Sequence, residues 1–235
     1  MTNENFPLIE TRNLGKIYFR KSRPPIKALD GVNLQVTAGE FLALVGCSGS
    51  GKTTLLNLIG ALDRPTSGEV FFEGMNLGDF SNRDLALLRR QKIGFVFQTF
   101  NLLPSLTVFE NVQSALVASS MSKSEIAEKV ASELEFFGLT DKSSMLPLDL
   151  SVGQQQKVAI ARALVKNPIL ILADEPTGEM DPTAAEEIIA KLVELNRKSK
   201  VTTVVVSHGT FPYEQADRTL FLNNGKIVSQ KEAGY

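Results

Sequence analysis

The sequence predicts an α/β fold with a helical insert, and three observations predict it. A glycine-rich loop, Gly46-Cys47-Ser48-Gly49-Ser50-Gly51-Lys52-Thr53, lies between an apolar run at 41–45 and a second apolar stretch at 54–59. That is the strand–loop–helix context such a loop needs. Residues 169–173 are wholly apolar and end in Asp174-Glu175, the pattern of a strand buried on both faces. From about 101 to 150 the character changes to helical spacing, punctuated by prolines and serines.

Each element follows in order. Two short β-type stretches, 8–12 and 16–19, open the chain, and the basic group Arg20-Lys21-Ser22-Arg23 reads as a solvated loop before Pro24-Pro25. Residues 32–36 alternate apolar and polar and read as a strand. Ala38-Gly39-Glu40 turns the chain into the strand at 41–45, and a helix starts near Lys52. Asp63-Arg64-Pro65-Thr66-Ser67-Gly68 breaks the pattern; strands resume at 69–72 and 93–97. Within the insert, Ser124 is expected to cap a helix carrying Ile126, Val130 and Leu134, with Gly138 just past its end. A helix over 154–165 leads to the strand at 169–173. Asp181-Pro182 reads as an N-cap followed by proline at the first helical position, opening a helix with Ile188, Ile189, Leu192 and Val193. Residues 201–206 form a further buried strand, and Asn224-Gly225 marks a hairpin.

Composition narrows the function classes. The 235 residues suffice for one large domain, with 43% hydrophobic and 22% charged residues, ordinary for a globular protein. A net charge of −1 offers no electrostatic case for nucleic acid. No apolar run approaches the roughly 18 residues of a membrane span. The opening Met1-Thr2-Asn3-Glu4-Asn5 lacks the basic and apolar regions of a signal peptide. One cysteine excludes a disulfide framework and a cysteine-rich zinc site. A cytosolic chain is expected, with any membrane work done through a partner.

The motifs carry phosphate chemistry. Glycines let backbone N–H groups turn inward around phosphate oxygens. The following helix points its positive end at the same anion. Lys52 is placed to reach the terminal phosphates, and the Thr53 hydroxyl can ligate Mg²⁺. The buried strand at 169–173 delivers two carboxylates at its carboxyl end, where the loop sits. Asp174 can hold Mg²⁺, and Glu175 can orient and deprotonate an attacking water.

A third element makes the chain resemble a known family. Leu150-Ser151-Val152-Gly153-Gln154-Gln155-Gln156-Lys157 is similar to the L-S-G-G-Q signature of ATP-binding cassette (ABC) ATPases, the nucleotide-binding subunits of transporters. The resemblance covers almost the whole chain. It implies a RecA-like core with a mainly parallel sheet, an antiparallel N-terminal β region and a helical subdomain at about 101–155, all in one domain, 1–235. It implies ATP and Mg²⁺ as ligands. Gly46, Cys47, Ser48, Gly49, Ser50, Gly51, Lys52, Thr53 and Thr54 match the phosphate-binding positions. Tyr18 matches the residue that stacks on adenine. Gln98 matches a glutamine that touches Mg²⁺ or water and moves with the membrane partner. Asp181 matches a second-loop aspartate, and His208 a γ-phosphate sensor. Ser151, Gly153 and Gln154 match signature positions that complete the ATP site of a second copy. The implied assembly is therefore a head-to-tail homodimer with separate permease subunits, on the cytoplasmic face of the inner membrane. Gln98-Thr99-Phe100-Asn101-Leu102-Leu103-Pro104 and Val108-Phe109-Glu110-Asn111-Val112 resemble the lipoprotein-release, macrolide-export and FtsE group, whose permeases carry large extracytoplasmic domains. Importer ATPases share many of these motifs, and non-transport cassettes of DNA repair or translation are the rival class. The chain departs from the family pattern in three places. Val152 replaces the first signature glycine and is expected to loosen contacts beside Ser151. Cys47 stands where proline is frequent, and Gly209 where an acid is common.

Overall fold

The computed structural model of the chain describes residues 6–21, 23–178, 180–208 and 215–233. Its strands are β1 (Ile9–Arg20), β2 (Arg23–Val36), β3 (Phe41–Val45), β4 (Ser67–Phe72), β5 (Met75–Asn76), β6 (Ile93–Val96), β7 (Leu170–Asp174), β8 (Thr202–Ser207), β9 (Arg218–Asn223) and β10 (Lys226–Val228). Its helices are α1 (Lys52–Ile59), α2 (Asn82–Lys92), α3 (Val108–Gln113), α4 (Lys123–Phe136), α5 (Val152–Leu164), α6 (Pro182–Ser199) and α7 (Gln230–Ala233).

Strands without a polar face lie at the centre. Every residue of β3 and β8 is buried, as are the first four of β7. Such strands need cover on both sides, which parallel sheets provide. They form a six-stranded sheet in the order β10-β9-β3-β8-β7-β6, parallel except for β10 on β9. Half-polar strands form a separate antiparallel sheet, β2-β1-β4-β5. One apolar core, including Leu44, Leu55, Leu58, Phe72 and Val206, joins that second sheet to α1 and the parallel sheet. The other, including Ala43, Val205, Ile160, Leu192, Val112 and Val130, packs α5 and α6 on the parallel sheet and continues into α3 and α4.

Register positions the chemistry. Val45 lies opposite Ser207, and Asp174 opposite Val206. The glycine loop after β3, Asp174-Glu175 at the end of β7 and His208 after β8 therefore leave the sheet together at its carboxyl edge. Val96 pairs with Ala173, which brings Gln98 to the same edge.

Several local expectations change. The two opening stretches are one strand, β1, whose register shifts at bulges between Thr11 and Lys16. Bulges break the period-2 pattern without ending the strand. The expected loop before Pro24-Pro25 shrinks to a hairpin tip, with Arg20 paired to Arg23. Its prolines lie in β2, an edge strand, at the register shift between the Tyr18–Ile26 and Arg20–Arg23 pairs, and edges and bulges are where a sheet tolerates proline. The cap of α4 is Ser122, not Ser124. Both serines can cap, but only Ser122 has a carboxylate at the third helical position. Glu125 accepts the Ser122 N–H at 2.7 Å while its own N–H reaches the Ser122 hydroxyl. An N-cap contributes about 1 kcal/mol, and the reciprocal bond adds to it. Likewise α5 starts at Val152 rather than Gln154, because Ser151 forms the same box with Gln154. The Asn224-Gly225 turn has φ +46 and +76, the pair of left-handed residues that a tight hairpin requires. Three helices, α2, α3 and α7, have no counterpart in the sequence reading, although each is announced by a serine or threonine bonded reciprocally to a carboxylate three residues on: Ser81 with Asp84, Thr107 with Glu110 and Ser229 with Glu232.

Candidate functional site

The loop after β3 is shaped by close backbone approach. A side chain at Gly51 would place its Cβ 2.4 Å from the Ala28 carbonyl, in a backbone with φ +108. Gly51 caps α1 with no side-chain hydrogen bond, and the first turn carries no acid. The N–H groups there remain open to an anion. The Lys52 ammonium is buried and donates to the Gly46 carbonyl at 2.7 Å and to the Cys47 carbonyl at 2.9 Å. Burial lowers its pKa, opposed by the charges of Glu175 and Asp174. The Thr53 hydroxyl donates to Asp174 Oδ1 at 3.2 Å. Burial raises the Asp174 pKa, while that hydrogen bond and the Lys52 charge act the other way. Glu175 has φ +48, a turn off the strand end, and its N–H is held by the Val206 carbonyl at 3.0 Å. Its Oε1 is in polar contact with His208 Nε2.

One open cleft of about 530 Å³ brings together Tyr18, Ser48, Gly49, Gly51, Lys52, Thr53, Thr54, Gln98, Glu175 and His208; the expected Asp174 does not line it and stands behind Thr53, whose hydroxyl donates to it. Tyr18 stands at its mouth. Its hydroxyl donates to Asp63 Oδ2 at 3.1 Å, and Lys16 Nζ lies 5.0 Å from the ring centroid. Sequence reading missed this support, because Asp63 is 45 residues away.

Other expected positions lie outside the cleft. Gly46, Cys47 and Ser50 do not line it. Gly46 and Cys47 offer carbonyls to Lys52, and the Ser50 N–H is held by Cys47 within the loop itself. Nor do Ser151, Gly153, Gln154 and Asp181 line it. Ser151 and Gln154 cap α5, Gly153 faces Ala184, and Asp181 caps α6 through the Ala184 N–H at 3.0 Å. Gly209, and Glu179 beside Asp181, lie outside the described residues.

The donor set suits a hard cation. A hydroxyl, an amide and a carboxylate, from Thr53, Gln98 and Asp174, leave further positions for phosphate oxygens and water, as Mg²⁺ prefers. Among the described residues no three His, Cys, Asp or Glu side chains group as a metal site of their own.

Residues 29–178 match the ABC transporter family. The chain belongs to that family. It is 44% identical to the uncharacterised ABC transporter ATP-binding protein YvrO of Bacillus subtilis, covering 94% of this chain and 96% of that one. It is 42% identical to the macrolide export ATP-binding/permease protein MacB of Hyphomonas neptunium over 95% of this chain, but spans only 34% of that protein's length. Among solved structures it resembles the dimeric, post-hydrolysis state of the cassette MJ0796 bound to ADP and Pi. The TM-score is 0.87 at 41% identity, over 94% of this chain and 97% of that one; the relative is from Methanocaldococcus jannaschii. This ABC cassette is thus an ATP-binding, ATP-hydrolysing transporter subunit, and its mixed α/β fold is the family's.

Val152 tests the one departure within the ABC signature. It occupies the first position of α5 and is 41% exposed, while the Ser151–Gln154 box beside it is complete. Val152→Gly should leave steady-state ATPase equal or slightly raised. It should lower helix stability by up to about 1 kcal/mol, since glycine has more freedom to lose. A tenfold fall in turnover, about 1.4 kcal/mol of barrier, would show that the valine side chain itself is used.

Proposed function

We propose that the chain works as a head-to-tail pair that closes on two ATP molecules and drives a separate membrane permease of the export, lipoprotein-release or force-transmitting type. One observation carries this: the motif set is divided. The phosphate loop, Gln98, Glu175 and His208 share one cleft. Ser151 and Gly153 stand outside it, at the start of α5. A second copy would supply them across each ATP. The dimeric cassette MJ0796 supports such pairing. The export relatives named as ATP-binding/permease proteins, of whose length this chain spans 34%, support a permease partner. None of the described helices is long and apolar enough to cross a membrane. We therefore place this single domain, with its helical portion at about 101–155, on the cytoplasmic face of the inner membrane, under a permease with a large extracytoplasmic part.

In this reading the loop N–H groups and Lys52 hold the β- and γ-phosphates, and Tyr18 covers the adenine. Thr53, Asp174 and Gln98 would hold Mg²⁺, which would supply positive charge to the phosphates when bound. Glu175 takes the proton of the attacking water as its oxygen bonds to the γ-phosphorus. The bond to the ADP oxygen breaks, and His208, in contact with Glu175, orients that carboxylate and the γ-phosphate. The contact between Glu175 and His208 suits this task, because a positioned base needs a fixed partner.

The experiment is co-expression with the multi-span membrane proteins of its gene neighbourhood. A permease should co-purify with the tagged chain, and the complex should hydrolyse ATP faster per site than the chain alone. Absence of both effects with every neighbouring permease would overturn the transporter role.

A further inference from the structure

Two residues just after Gln98 hold an unusual backbone. Phe100 and Asn101 have φ +57 and +49, and neither is glycine. Asparagine tolerates this left-handed region, but a bulky phenylalanine persists there only where the surroundings impose it. One side chain does so here. Arg162 of α5 donates from Nη2 to the Phe100 carbonyl at 2.7 Å and from Nη1 to the Asn101 carbonyl at 2.6 Å. Burial lowers its pKa. A half-buried guanidinium needs acceptors for the N–H groups turned from water, and these two carbonyls accept two of them. The far side of the same loop is closed by the buried Asn111, whose amide donates to the Leu103, Leu106 and Thr107 carbonyls. Arg162 lies about three turns along α5 from Ser151.

We propose that Arg162 is a positioning residue that clasps the loop behind Gln98 to α5. The Gln98 side chain in a copy's own cleft and the Ser151 that it lends to its partner then move as one piece. This rests on the roles proposed above for Gln98 and Ser151. Arg162 itself touches neither nucleotide nor metal.

The test uses the full chain with Arg162→Ala, Arg162→Lys and Gln98→Ala. Arg162→Ala should lower kcat at saturating ATP and Mg²⁺ by about tenfold or more, as misplaced catalytic groups do. ATP affinity should stay near wild type, because Lys52 and its loop are untouched. Half-maximal activity should need more Mg²⁺. Adding Phe100→Gly and Asn101→Gly to Arg162→Ala should recover much of the loss, since glycine adopts positive φ freely. Arg162→Lys keeps the charge with a single ammonium and should fall between, which also serves if the alanine variant does not fold. An arginine that merely holds the core would lower melting temperature and ATP binding together, with no recovery from glycine. Normal kcat in Arg162→Ala and Arg162→Lys, beside a defective Gln98→Ala, would overturn the clasp alone. Normal kcat in Gln98→Ala would overturn the Gln98 role and the clasp with it.

Discussion

Lys52→Ala should abolish steady-state ATP hydrolysis while the protein stays folded. The ammonium is buried in the loop and held by the Gly46 and Cys47 carbonyls. Those bonds park it at the mouth of the phosphate cradle, ready to exchange neutral oxygens for charged ones. Burial lowers its pKa, so the cation is held at some cost, which an incoming polyphosphate relieves. Truncation removes the fixed positive charge that meets the charge developing on the phosphates. Loss of one preorganised donor costs about 10²–10³-fold in rate, and a full charge costs at least that. Stability should change little, because a desolvated charge leaves together with its two hydrogen bonds. The check is phosphate release with Mg²⁺ beside a thermal melt. Near-wild-type turnover would show that this loop is not the hydrolytic site.

Glu175→Gln should separate binding from chemistry. Glutamine keeps the size and can still hydrogen-bond to His208 and to water, but it cannot take a proton near neutral pH. Lys52, Thr53 and Asp174 remain, so ATP and Mg²⁺ should still bind. With hydrolysis blocked, two copies should stay closed around two ATP molecules, each held between one loop and the other copy's Ser151 and Gly153. Wild type, which clears its ATP, should be mostly monomeric without its permease. Size-exclusion chromatography with light scattering, on both forms with ATP and with ADP, reads this directly. A mutant that hydrolyses ATP normally would remove Glu175 as the base. One that binds ATP yet stays monomeric at high concentration would falsify the shared site.

The sequence was most legible where a function or a turn is encoded by neighbours. Asn224-Gly225 makes its hairpin because two adjacent residues take positive φ. Asp181-Pro182 opens α6 because cap and first turn are adjacent. It was least legible where the outcome depends on a residue's place in the sheet. Arg20–Arg23 reads as a loop before Pro24-Pro25, yet both prolines lie in β2, because that strand is at the edge and its register shifts there. The opening strand reads as two because bulges interrupt its alternation. Ser124 loses the cap of α4 to Ser122 by the position of one carboxylate, Glu125.

By itself the sequence determined the chemical inventory: a phosphate loop, two carboxylates ending an apolar strand, and a serine–glycine signature. Each is a short run whose spacing is set by local backbone geometry. The tertiary structure alone decided which of these groups meet. Parallel register brings Lys52, Glu175 and His208 into one cleft from three strand ends. The same packing leaves Ser151 at the far end of a helix whose Arg162 grips the loop behind Gln98, across 61 and 62 residues of chain. The physical reason is that hydrogen bonds and burial act through space. A contact between distant segments exists only once the sheet has set their separation and direction.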